Sequence, residues 1–226
     1  MLEQNENLCV ALSGGKDSVT LLYIMVYLNK YTNLKIRLSA AHVKTASYDT
    51  SVLKDLCDSL EVPYLETALR DQIPKTRCPC SACARLKRGA LSDLLFSAGP
   101  GKIAFGHHAD DVAETFFMNI VNSRKLGSFS PVVKAPGCNM SIIRPMIYLN
   151  ENRIRHIHSS LRLPVLKFIC PYSQVNSRAE VKRLLSHFKA NLTKSNFSDL
   201  LVQSLENIDM SNNWPSLMTK KSTMQS

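Results

Sequence analysis

Apolar and polar residues run along this chain in blocks whose period changes repeatedly. From residue 8 a short apolar run, LCVAL, breaks at Ser13-Gly14-Gly15 into a helix-compatible stretch over 19–28 with apolar positions on several faces. That order reads as strand, loop and helix. Strand patterns follow at 35–43, 63–68 and 102–105, separated by helical patterns at 51–60 and 81–97, the second closed by Gly99-Pro100-Gly101. A helix over 112–122 comes next, then loops or a hairpin across 127–141, marked by Pro131, Pro136 and Gly137. Residues 142–146 lead into a helix over 151–161, a short strand over 163–168 and a helix over 177–189. Strands alternating with helices predict βαβ units and a parallel sheet covered on both faces, an α/β fold. Ligands of such sheets gather at the carboxyl ends of the strands. The loop at Ser13 and the strand end at His42 therefore share one rim.

At 226 residues the chain suits one domain of ordinary size, expected over 1–190. Residues 191–226 are richer in Ser, Asn, Thr and Lys, with a short amphipathic helix expected over 197–205 and disorder after Trp214. The 28 Lys and Arg exceed the 18 Asp and Glu, a net charge of +10, which favours a polyanionic partner and ranks nucleic acid above a membrane. No segment approaches a membrane span, and the opening MLEQNEN is unlike a signal peptide, so a cytoplasmic location is expected. Three of seven cysteines crowd together as Cys78, Cys80 and Cys83, which points to metal or redox chemistry. Cys9, Cys57 and Cys138 stand apart and read as small buried or incidental residues.

Gly14 and Gly15 leave room for a bulky anion at a helix amino end, where backbone amides and the helix dipole favour negative charge. Lys16 adds a charge, and Ser13 and Ser18 add hydroxyls; the spacing differs from a Walker A loop. Asp17, Asp110 and Asp111 are candidates for magnesium or the phosphate rim, although Asp110 or Asp111 could equally cap the helix that follows. His107 and His108 could steer phosphate or substrate, or be structural. Arg85, Lys87, Arg88 and Arg144 are candidate RNA contacts, with a solvated charged face as the alternative for the first three. Cys80 and Cys83, three apart at a helix start, share a face and need further ligands, whether for zinc or for a cluster.

The run Ser13-Gly14-Gly15-Lys16-Asp17-Ser18 resembles the SGGxDS fingerprint of the PP-loop ATP pyrophosphatase superfamily. Three further segments are similar to the tRNA 2-thiocytidine synthetase family: Cys80-Ser81-Ala82-Cys83 through Lys87-Arg88-Gly89; Gly106-His107-His108-Ala109-Asp110-Asp111 with Glu114 and Asn119; and Arg144-Pro145, followed by Cys170-Pro171. The resemblance implies a three-layer adenine nucleotide alpha hydrolase-like fold and ATP cleaved between its α and β phosphates. It assigns catalysis to Lys16, Asp17, Cys80, Cys83 and Cys170. ATP and pyrophosphate contacts fall to residues 13–18, His42, Gly106 and Asp111, with Mg2+ at Asp17. A [4Fe-4S] cluster on Cys80, Cys83 and Cys170 would keep one iron open for sulfur; Cys78 as a fourth ligand would close that position. The implied partners are tRNA and a sulfur donor such as a cysteine desulfurase or sulfide, with a homodimer left open. The reaction would adenylate C2–O of a cytidine in an unpaired tRNA loop and replace that oxygen with sulfur. Competing readings are a uridine 2-thiolase, a lysidine-synthetase-like enzyme, a small-molecule ATP pyrophosphatase and a non-catalytic metal-containing RNA-binding protein.

Overall fold

The computed structural model describes residues 1–46, 48–69, 79–96, 101–134, 140–167, 177–191 and 196–207. Cys78, Cys138, Cys170 and the side chain of Cys80 lie outside what it describes. The elements in order are β1 (Asn7–Ala11), α1 (Lys16–Tyr31), β2 (Arg37–Lys44), α2 (Ser51–Ser59), β3 (Tyr64–Ala68), α3 (Pro79–Phe96) and β4 (Lys102–Ala104). They continue as α4 (Ala109–Ser123), β5 (Val132–Lys134), β6 (Ser141–Ile143), α5 (Glu151–Ser160), α6 (Ser177–Asn191) and α7 (Phe197–Glu206). The six strands form one sheet in the order β3-β2-β1-β4-β6-β5. All neighbours are parallel except β5, which pairs antiparallel with β6 at the edge and makes 127–141 in part a hairpin.

Strand β1 is covered on both faces, and its two-residue period sorts its side chains between two cores. Leu8, Val10 and Leu12 pack with Val19, Leu22 and Met25 of α1, Leu53 of α2 and Ile154 of α5. Cys9 and Ala11 pack on the opposite face with Leu91 and Leu95 of α3. Each fully buried Leu, Val or Met contributes about 1.5–3 kcal/mol, so this strand is securely anchored in the sheet. Helix α7 docks on α4 through Val202 and through Phe197, which joins Phe117 and Phe188 in an aromatic cluster.

One expected element is absent among the described residues. Residues 163–167 form no strand; Leu163 and Leu166 pack on the α1-side core, and Leu166 N–H donates to the Gly14 carbonyl at 2.8 Å. The apolar run was a burial signal, satisfied here by a segment that lies against the Gly14 loop.

Candidate active site

Strands β1 and β4 are neighbours although β2 and β3 come between them in sequence, so the crevice at their carboxyl ends is the point where the strand order reverses. From β1 the chain enters the loop at Gly14, whose φ of +83° is a left-handed conformation that glycine adopts without steric cost. Gly15 is the N-cap of α1, and Ser18 Oγ donates to its carbonyl at 2.9 Å while accepting from Ser13 Oγ at 3.0 Å. From β4 the chain reaches Gly106, where a Cβ would lie 3.0 Å from the backbone of Asp17 and Ser18. A side chain there would push the two connections apart.

Two adjoining cavities open on this crevice. The first, about 270 Å³, is walled by Leu12, Val43, Leu91 and Phe105, with Ser13 and His42 among its polar groups. The second, about 350 Å³, is lined by charged groups from α1, α4, α5 and α6, including Lys16, Glu151, Arg178 and Lys182. Asp17 and Asp111 border both. A mainly apolar chamber beside a charged one suits a nucleoside carrying a polyphosphate.

Lys16 Nζ lies 2.7 Å from Asp17 Oδ1 and 3.1 Å from Glu151 Oε1. Desolvation would lower its pKa, but these two carboxylates outweigh it and raise the ammonium above its ordinary value. Desolvation would likewise raise Glu151, yet Lys16 and Lys182 hold that carboxyl down at about 2. Asp111 accepts from His108 N–H at 3.1 Å and from Arg178 at 3.1 Å, and Glu114 takes the same guanidinium at 2.6 Å. Buried Asp110 accepts from Glu151 N–H at 2.7 Å and from Ser198 Oγ at 2.9 Å, which braces α4 against α5 and α7.

His42 is buried. The Leu12 carbonyl, 2.6 Å away, can only accept, so Nδ1 carries the proton and Nε2 accepts from Tyr48 Oη at 3.0 Å. Burial is the main cause that depresses its pKa. His107 stacks on Phe105 and against Phe129, and burial pushes its pKa down to about 4, so the ring is neutral. Arg144 is buried; it donates to the Ser130 carbonyl and lies 4.7 Å over the Phe129 ring, where it supports the 128–131 loop.

The chain matches the PP-loop domain family over residues 2–167. It is 32% identical over 195 residues to the tRNA-cytidine(32) 2-sulfurtransferase of Idiomarina loihiensis, which covers 82% of this chain and 65% of that protein. It is 30% identical over 217 residues to the protein of the same name from Pseudomonas paraeruginosa, covering 92% and 78%. The chain belongs to the PP-loop family, on the branch of the tRNA-cytidine(32) 2-sulfurtransferases. It thus spans 65% of the first relative's length, just under two thirds, and more of the second. Among solved structures it resembles the U34-tRNA thiolase NcsA from Methanococcus maripaludis with its [4Fe-4S] cluster. The TM-score is 0.75 at 24% identity over 92% of this chain and 74% of that one, a likeness of fold.

Several residues that matter to the crevice lie outside the Ser13–Ser18 run and carry no local sequence signal. Glu151 is legible as a helix start, after Asn150, whose side chain caps α5 by accepting from Arg153 N–H at 3.1 Å; its reach to Lys16 is not. The same holds for Arg178, Lys182, Tyr48 and Leu166. On α3, Arg85 and Arg88 are exposed, Cys83 is half-buried, and Lys87 turns into the first cavity. Cys80 stands one turn before Cys83 on this helix. Among the described residues, no three of His, Cys, Asp and Glu are grouped closely enough to hold a metal ion, and no helix is long and apolar enough to cross a membrane.

Proposed function

We propose that this chain is an ATP-dependent tRNA sulfurtransferase of the cytoplasm that converts a cytidine in an unpaired tRNA loop to 2-thiocytidine. The observation that carries this reading is the pair of neighbouring cavities at the β1/β4 crevice, which share Asp17 and Asp111. The apolar chamber suits adenosine, the charged chamber suits the β and γ phosphates, and the Gly14–Ser18 turn between them suits the α phosphate. The cytidine C2 oxygen attacks the α phosphorus, the bond to pyrophosphate breaks, and a sulfur nucleophile then adds at C2 and expels AMP. Lys16 and the first-turn amides of α1 offset charge that builds on the phosphates. Asp17 and Asp111 supply carboxylate oxygens to Mg2+ brought in with the nucleotide, since that ion completes its shell with phosphate and water.

Cys80 and Cys83, one turn apart on α3, fit as two thiolate ligands of a [4Fe-4S] cluster completed by Cys170, which would supply an iron that binds sulfur from sulfide or a cysteine desulfurase. Helix α3 also joins substrate to site: Arg85 and Arg88 face solvent for the RNA backbone while Lys87 faces the cavity. An unpaired loop suits a base that must be reached at C2. The test is anaerobic incubation with ATP, Mg2+, sulfide and tRNA, with mass spectrometry of nucleosides and assay of AMP. AMP and 2-thiocytidine in equal amounts are expected. Asp17→Ala should stop AMP formation, and Cys83→Ser should stop thiolation while ATP binding persists. AMP released without tRNA and without any thiolated nucleoside would refute the proposal.

A further inference from the structure

The side chains around the charged cavity form an alternating sequence. Lys182 meets Glu151 at 3.2 Å, Glu151 meets Lys16 at 3.1 Å, and Lys16 meets Asp17 at 2.7 Å. His108 Nε2 stands 3.8 Å from Asp17 and 3.5 Å from Asp111, Asp111 meets Arg178 at 3.1 Å, and Arg178 meets Glu114 at 2.6 Å. Helix α6 supplies cations near both ends of the series, through Arg178 and Lys182 one turn apart. The cavity counts three permanent cations, Lys16, Arg178 and Lys182, against four carboxylates, Asp17, Asp111, Glu114 and Glu151, with the His108 ring between Asp17 and Asp111.

That balance restricts what can enter. A free polyphosphate would face a net negative charge with the three cations already paired, and a bare Mg2+ finds no cluster of three ligands among the described residues. A magnesium polyphosphate meets neither obstacle, because its metal takes carboxylate oxygens while its phosphate oxygens take the released cations. We propose that Arg178 and Lys182 are a partner-exchange clamp on α6 that selects the magnesium complex of the leaving pyrophosphate, giving up Asp111, Glu114 and Glu151 when the complex enters. The inference rests on the ATP reading above and adds to it two positioning residues on a helix outside the PP-loop fingerprint.

Lys182 is the variant of choice, because its side chain is 57% exposed and Glu151 keeps Lys16 and Arg155 as partners when Lys182 is removed. The experiment is calorimetric titration of the full chain, without tRNA, with AMP, with inorganic pyrophosphate plus Mg2+, and with pyrophosphate plus EDTA. Wild type should bind the magnesium complex at least about tenfold more tightly than metal-free pyrophosphate, and Lys182→Met and Arg178→Lys should each lose about tenfold for the complex while AMP binding is unchanged, the scale of one charge-assisted hydrogen bond. Unchanged affinity for the complex in both variants would overturn the clamp. So would an equal loss for AMP and pyrophosphate, which would mean that the residues act through the fold. If AMP binds but metal makes no difference to pyrophosphate, the clamp fails and the ATP reading stands; if wild type binds neither ligand, the ATP reading itself fails.

Discussion

The two glycines of the loop look equivalent in sequence, and the structure separates them. At Gly14 a methyl group meets two obstacles. The φ of +83° costs an L-residue about 1–2 kcal/mol. The new Cβ would also sit 2.5 Å from Leu166 Cβ and 3.0 Å from Leu166 Cδ2. Leu166 cannot retreat cheaply, because its N–H donates to the Gly14 carbonyl at 2.8 Å and its side chain packs on the core. Overpacking of this kind costs about 1–3 kcal/mol. Gly14→Ala should therefore destabilise by about 2–5 kcal/mol in all, or about 4–20 °C in Tm for a chain of this size.

At Gly15 the φ is −79° and the nearest atom to a Cβ is Ser13 Oγ at 3.6 Å, an ordinary contact. Gly15→Ala should stay within about 1 kcal/mol of wild type, because the gain of about 0.4–1 kcal/mol from restricting the unfolded chain is opposed by the poorer standing of Ala than Gly at an N-cap. Urea unfolding at pH 7 of the two variants beside wild type is the assay. Leu166→Ala in the Gly14→Ala background should recover little, since the contact at 2.5 Å is with a Cβ that alanine retains. Equal stability of the two glycine variants would show that this segment does not prop the loop, and full rescue by Leu166→Ala would move the obstacle from the Leu166 Cβ to the rest of its side chain.

Two more outcomes follow from the same geometry. His107, with its folded pKa near 4, disfavours protonation in the native state, so the stability tied to its neutral ring is present above the unfolded value of about 6.5 and is lost as pH falls toward 4. His107→Phe, which keeps the stack with Phe105 and Phe129, should flatten the fall of the urea midpoint between pH 6.5 and 4.5; an unchanged fall would remove His107 as its source. Arg85→Ala with Arg88→Ala should weaken tRNA binding and reduce the slope of log K against log salt by about 0.7–0.9 for each phosphate that the variant no longer neutralises, whereas an unchanged slope would move the RNA surface off α3.

What could be read from sequence was what local chemistry determines. The apolar run before Gly14 and the mixed faces of 19–28 specify β1 and α1 wherever they are placed, and the glycine pair marks the turn between them. What escaped was set by distance along the chain. Arg178 meets Glu114 and Asp111 across 64 and 67 residues, and no periodicity in either segment announces it. Asp110 shows the same limit from another side. As one of two adjacent acids it read as a metal or phosphate candidate or as a helix cap; the capping bond is made by Asp111, and the two oxygens of Asp110 are taken by Glu151 N–H and Ser198 Oγ.

The division between those two acids has a physical cause in the helix itself. Consecutive residues on α4 point about 100° apart, so only one of Asp110 and Asp111 can face the crevice while its neighbour faces the packing of α5 and α7. Asp111 borders both cavities, and Asp110 is 4% exposed beneath them. Because Asp110 accepts from the first backbone amide of α5, it also places Glu151, and through Glu151 it places Lys16. A buried acid that touches no ligand thereby positions the lysine that the phosphates would meet. Asp110→Asn would keep the shape and weaken both hydrogen bonds. Its signature should be a loss of stability together with a raised KM for ATP, whereas Asp111→Asn should raise KM with stability nearly intact. If the two variants gave the same profile, the division of labour read from their partners would be wrong.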